Sequence, residues 1–339
     1  MKRSYLLGGV ATGCGFAAAL LLRRSRFDWN EKVVLITGGS RGLGLALARS
    51  IARFGARLAI CARDEKELRL AEDDLRRITS HVLSIPCDVS NADEVESLMQ
   101  ATLQHYRQID VVVNNAGVIQ VGPFQTMTLE DFENAMDVIY FGTVHTTLAT
   151  LPHMLRRGEG RIVNVTSIGG KVSVPHLLPY SCAKFAAVAF SEGLRSELSG
   201  TGVKTITIAP GLMRTGSFLQ AGFKGDDERE AAWFSVAASL PGLSMNVQRA
   251  VNQIVTATER GAAERILGVP AQILGLFHGL CPGFTADILG IVNRALPNGR
   301  GDMNRPMGPY IRGSKIESLP VLGQRAADRY LQHLDSSGA

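Results

Sequence analysis

The chain has 339 residues, enough for one large domain or two small ones, and with 45% apolar and 20% charged residues its composition is globular rather than disordered or fibrous. The net charge of +5 is concentrated at the start, where residues 1–32 hold six basic and two acidic side chains, so the nearly neutral remainder offers no electrostatic footprint for nucleic acid. Five widely spaced cysteines without a CxxC pair argue against a disulfide framework and a metal site, and point to free thiols in a reducing compartment.

Residues 5–22, YLLGGVATGCGFAAALLL, carry no charge. As a helix they would extend about 27 Å, close to the hydrocarbon thickness of a bilayer. The basic start and the small residues Ala17, Ala18 and Ala19 also fit a cleaved signal peptide. The apolar run, however, continues through Leu22 and stops at Arg23, Arg24 and Arg26, which favours an uncleaved membrane anchor with the body on the cytoplasmic side.

Beyond this segment, near-continuous apolar runs at 33–37, 57–61, 82–86, 110–114, 161–166 and 203–209 read as strands, with a seventh near 265–269. Amphipathic stretches at 44–54, 65–78, 92–106, 129–156 and 180–198 separate them. Apolar strands alternating with helices predict an α/β fold, a doubly wound parallel sheet with helices on both faces. Such sheets bind ligands beyond the carboxyl ends of their strands, which directs attention to the loops there.

The first of these loops, Thr37 to Gly44, reads TGGSRGLG between a strand and a helix. Gly38, Gly42 and Gly44 let the backbone turn tightly and approach a diphosphate, with Ser40, Arg41 and Leu43 on the same loop and the positive end of the helix dipole behind it. The second strand is followed by Ala62, Arg63 and Asp64 rather than directly by an acid. Arg63 with Arg41 could clamp a ribose 2′-phosphate, so NADP(H) is expected over NAD(H). Asp88 and Val89 end the third strand, where Asp88 could accept from an adenine amino group or cap the next helix, although Ser90 or Asn91 fits the cap equally. The fourth strand ends in Asn114, Asn115, Ala116 and Gly117, whose amides can bond neighbouring backbone while the last two leave room for a ribose.

Taken with Ser167, with Tyr180 and Lys184 in YSCAK, and with Pro210-Gly211, these motifs resemble the short-chain dehydrogenase/reductase superfamily over roughly residues 32–260. The resemblance implies a Rossmann-type catalytic domain at 32–269, placed between the anchor and basic linker at 1–31 and a C-terminal helical extension at 270–339. It implies Ser167, Tyr180 and Lys184 as the catalytic group, pairing through two long helices as a homodimer, and an asparagine at the position held here by Ile139. That difference leaves a second reading open, an NADP-binding sensor or scaffold with little turnover.

The implied chemistry is physically reasonable. Tyr180 and Lys184 share a helical face one turn apart, and an ammonium about 4 Å from a phenol could supply the roughly 4 kcal/mol needed to bring its pKa towards neutrality. Ser167 would hold the substrate oxygen. Beyond Gly211, Thr215 could bond the nicotinamide carboxamide with Met213 packed nearby, and the stretch to Leu243 is expected to be a substrate lid or a surface helix. The apolar residues of VSVPHLL (172–178) beside Tyr180 suggest a small hydrophobic, lipid- or steroid-like carbonyl or alcohol substrate. Residues 266–296 are broken by Pro270 and Pro282 and are expected to form helices on the body or on a membrane surface; a short helix is expected at 326–334 in an otherwise loose tail.

Overall fold

Seven parallel strands form the central sheet of the structure, a computed structural model in which residues 27–297 and 321–332 are described. They are β1 (Val33–Thr37), β2 (Arg57–Ala62), β3 (Val82–Pro86), β4 (Val111–Asn114), β5 (Gly160–Val165), β6 (Val203–Pro210) and β7 (Glu264–Leu267), in the spatial order β3-β2-β1-β4-β5-β6-β7. Alternation along each strand divides the core. Val34 and Ile36 point to one face, against α1 (Gly42–Ala52), α2 (Glu65–Arg76) and α8 (Val247–Arg260). Val33 and Leu35 point to the other, where α3 (Ala92–Tyr106), α5 (Gly142–Arg157) and α6 (Leu178–Glu197) lie. The doubly wound arrangement follows because both faces of these strands are apolar.

The order reverses between β1 and β4, and the crevice opens above their carboxyl ends. Side chains cap the helices that begin elsewhere. Asp64 accepts from two amides of α2, and Asn91 does the same for α3. The expected alternatives for the third loop therefore resolve in favour of Asn91. At α1 the capping position is Arg41, and no side chain caps the helix. The start of this well-buried helix, Gly42 and Leu43, lines the crevice.

The long helix expected at 129–156 is interrupted. Between α4 (Leu129–Ala135) and α5, residues Met136–Phe141 form a π-helical turn around Ile139. Further on, α7 (Asp227–Ser239), α9 (Val269–Leu280) and α10 (Pro282–Ala295) complete the body. Leu276, Leu280, Phe284 and Ile291 of α9 and α10 stand exposed. The apolar stretch at 5–22 lies outside the described residues, and among those described no helix is long and apolar enough to cross a membrane.

The short helix expected at 326–334 is present a few residues earlier. Helix α11 (Val321–Arg329) and the turn after it pack onto the domain, with Ala327 fully buried and Tyr330 in the main core. Gly216 is the reason two backbones can meet there, since a Cβ on it would stand 2.6 Å from the Ala327 Cα.

Candidate active site

Two loops lock together to shape the crevice. The Thr37 hydroxyl accepts from the Asn115 and Ala116 amides at 3.0 and 3.1 Å, while the Asn115 side chain donates to the carbonyls of Thr37 and Gly38, both at 3.0 Å. Asn115 thus acts as a structural brace. Beneath it a buried polar ladder runs across the sheet: Asn114 donates to Asn164 at 2.8 Å, Asn164 to Ser191 at 2.9 Å, and Ser191 pairs with Thr207 at 2.7 Å. Each rung satisfies a group that would be costly to leave alone in the core. The ladder was not evident in the sequence, because its members come from four separate elements.

Above these loops lies a cavity of about 490 Å³. Every residue expected to hold a cofactor lines it except Gly44, and Ser167, Tyr180 and Lys184 lie on the same wall. Gly44 has a different task. A Cβ there would sit 2.1 Å from the Gly38 carbonyl oxygen, so its bare backbone is what allows the turn to close under the cavity. Gly38 itself adopts φ +61, which favours glycine. A glycine cradle, a helix N-terminus without a side-chain cap and a cavity reaching from Arg63 to Tyr180 together fit an elongated diphosphate-containing dinucleotide.

The charged residues at the far end are already paired. Arg41 bonds Glu67, which also accepts from Ser40 at 3.4 Å, and Arg63 lies 3.6 Å from Asp88. Glu67, a cavity residue not singled out from the sequence, thus competes for Arg41. One oxygen of Asp88 accepts from the Ser90 amide and hydroxyl at 3.0 and 2.7 Å. Burial works to raise its pKa, but these bonds and Arg63 outweigh it and hold the carboxyl below its ordinary value. Thr215, also expected to meet the cofactor, accepts from the Ser217 amide at 3.1 Å. Met213 pairs with Met245 in a short two-stranded ladder at the cavity rim.

At the other end, Ser167 follows β5 and accepts from the Gly169 amide at 3.0 Å, and its hydroxyl works to lower the Tyr180 pKa. Gly169 lies flat under the tyrosine, with its bare Cα leaving a Cβ position 3.2 Å from the ring. Buried Lys184 donates to the Val165 carbonyl at 2.9 Å, with Nζ 5.7 Å from the centre of the Tyr180 ring. The expectation that this ammonium already acidifies the phenol is corrected. Burial pushes the Tyr180 pKa above its ordinary value, offset only in part by Ser167, and burial pushes Lys184 down to about 8. Both charged forms lose water on burial. At neutral pH the phenol keeps its proton.

Ile139 packs with Ala183, Ala187 and Tyr180, and both it and the Lys184 Nζ lie within 4 Å of a Cβ position on Gly117. Neither neighbour supplies the missing polar group. Thr143 donates back to the Ile139 carbonyl at 2.7 Å, and Tyr140 stacks edge-on against Phe141 and Phe190.

The apolar side of Tyr180 rests on a cluster containing Leu177, Phe218, Phe234 and Ala238, which joins the 172–178 loop to α7. A fully buried pair fixes this contact: His176 bonds Glu230 at 2.8 Å, and Trp233 donates to the same carboxylate at 2.6 Å. Sequence reading gave His176 and Glu230 no role because they are far apart in the chain. The pair braces α7 against the 172–178 loop beside the tyrosine.

Comparison with known proteins agrees with this geometry. Residues 32–222 match the short chain dehydrogenase family. The chain belongs to the short-chain dehydrogenase family. Its relatives include the dehydrogenase/reductase SDR family protein 7-like of Anopheles gambiae, 38% identical over 204 residues, a match covering 59% of this chain and 64% of that protein. Among solved structures, this short-chain dehydrogenase is similar to one from Streptomyces avermitilis, with 28% identity and a TM-score of 0.67, covering 78% of this chain and 98% of the other. It is also similar to an actinorhodin polyketide ketoreductase determined with NADPH, at 30% identity and a TM-score of 0.61, covering 70% and 95% of the two chains.

Proposed function

We propose that this protein is an NADP(H)-dependent oxidoreductase that interconverts a carbonyl and an alcohol on a small hydrophobic substrate. One observation carries the reading: the Ser167–Tyr180–Lys184 group and the glycine cradle open into a single cavity. When bound, the nicotinamide supplies or accepts the hydride. The chain's own residues handle the oxygen. Ser167 donates to the substrate carbonyl, the protonated Tyr180 gives up its proton as negative charge develops there, and the Lys184 ammonium stabilises the resulting phenolate. The Val165 carbonyl fixes where that ammonium stands.

Because burial holds Lys184 near pH 8, its stabilising charge is present below that pH and lost above it. The reductive kcat/KM is therefore expected to be level near neutrality and to fall as pH rises through about 8. A rate unchanged up to pH 9.5, measured in a common-buffer profile, would contradict the assigned role.

The substrate class rests on the apolar cluster against Tyr180 and the α7 wall. The preference for NADP(H) rests on Arg41 and Arg63 at the far end of the cavity and on the NADPH-bound ketoreductase to which this chain is similar. Each arginine would exchange a carboxylate for a 2′-phosphate, an anion of higher charge. Cofactor oxidation measured across hydrophobic ketones should favour NADPH over NADH. Arg63→Ala should weaken NADPH binding by about tenfold, or about 1.4 kcal/mol, and leave NADH binding unchanged. Failure to oxidise either dinucleotide with any ketone would favour the sensor reading, in which Ile139 marks lost turnover.

A further inference from the structure

The residues after α11 reach the cavity from outside the catalytic core. Leu331 adopts φ +53, and the Gln332 amide bonds back to the Ala327 carbonyl at 2.9 Å, a left-handed helix ending that turns the chain sharply. The turn is fastened at three places. Gly42 N–H donates to the Tyr330 carbonyl at 2.9 Å, Arg49 donates to the Arg329 carbonyl at 2.7 Å, and Gln220 donates to the Gln332 carbonyl at 3.0 Å. It therefore sets one side chain, Gln332, on the cavity wall directly over the start of α1. A Cβ on Gly42 would meet the Gln332 Nε2 at 2.4 Å.

Gln332 is only 3% exposed, and its side-chain oxygen has no hydrogen-bond partner. The side-chain oxygen of Gln220, on the same rim, is likewise buried and unpartnered. Two orphaned amide acceptors on the cavity rim beside the start of α1 are costly in a folded domain unless something else meets them. The segment lines the cavity without filling it.

We propose that Gln332 is a dinucleotide-binding residue. Its carboxamide holds the diphosphate–ribose stretch of the cofactor above Gly42, and residues 330–332 form a clasp over the bound molecule. The assignment rests on the dinucleotide reading given above. An amide suits this position because it donates to a phosphate oxygen and accepts from a ribose hydroxyl at once. Contacts from the clasp act after the cofactor has docked on the glycine cradle, so they chiefly slow its release.

Full-length protein, NADPH fluorescence titration and stopped-flow displacement test this. Gln332→Ala preserves the buried Ala327 and Tyr330 and is expected to raise the NADPH Kd by about tenfold, mainly through faster release. Gln332→Glu brings a carboxylate to the diphosphate and should weaken binding further, with the loss growing as salt is lowered. Adenosine 2′,5′-bisphosphate lacks the bridging diphosphate and second ribose, and should bind all three proteins alike. Variants that bind NADPH as the parent does, or more tightly, would overturn the clasp while leaving the dinucleotide reading intact. Equal losses for NADPH and the bisphosphate would also overturn it, by showing general damage. A parent protein that binds neither NADPH nor NADH would overturn both.

Discussion

Tyr180→Phe is expected to lower the rate of ketone reduction by about 10³-fold, about 4 kcal/mol in the barrier, while NADPH affinity stays within about twofold. The split follows from position. Tyr180 lies at the end of the cavity opposite Arg41 and Arg63, and its ring is held by the Leu177–Phe234 cluster, which a phenylalanine can fill equally well. Only the hydroxyl is lost. Because burial keeps that hydroxyl protonated, it is a proton donor throughout the neutral range, and no neighbouring side chain can take its place: Thr143 is committed to the Ile139 carbonyl and Lys184 to Val165. Steady-state rates and a fluorescence titration on the same preparation measure both quantities. A variant that retained more than about a tenth of the parent rate would remove Tyr180 from the proton transfer.

Gly44→Ala should act at the other end of the cavity and weaken binding as well as turnover. Its new methyl group would lie 2.1 Å from the Gly38 carbonyl oxygen and 2.7 Å from the Asn115 side-chain nitrogen. The first neighbour is backbone, and the second is the amide that braces the two loops, so neither can move without opening the turn. Overpacking of this kind costs about 1–3 kcal/mol of stability, and a cradle displaced from the start of α1 should lose about 100-fold in dinucleotide affinity. Thermal melting and NADPH titration would show both effects. Parent-like binding by the alanine variant would mean that the glycine turn is not the diphosphate site.

The fold was legible because its strands are apolar on both faces and its turns carry glycine where the backbone must bend. β1 and β3 match the expected limits, and the other strands differ at their ends by no more than two residues. Cradle residues could be named because they stand at strand ends, and the catalytic group because its motifs resemble those of the family. Less visible was anything set by burial or by contacts across the chain. Spacing placed Lys184 beside Tyr180 but could not show that both would be desolvated, which reversed the expected direction of the phenol's pKa. His176 and Glu230 are 54 residues apart, and Gly42 and Gln332 are brought together only by tertiary packing. The π-helical turn at Ile139 lies within a stretch whose apolar period reads as plain helix. Arg41 and Arg63 read as free cations, yet each has an acidic partner whose position depends on how α2 and β3 pack.

A crystal structure of the NADPH complex tests the central claim most directly. The nicotinamide ring should lie over Lys184 with its reactive carbon facing the gap between the Ser167 and Tyr180 hydroxyls, and the diphosphate should rest at the start of α1. A dinucleotide bound with its nicotinamide directed away from Tyr180, or lodged outside this cavity, would contradict the account.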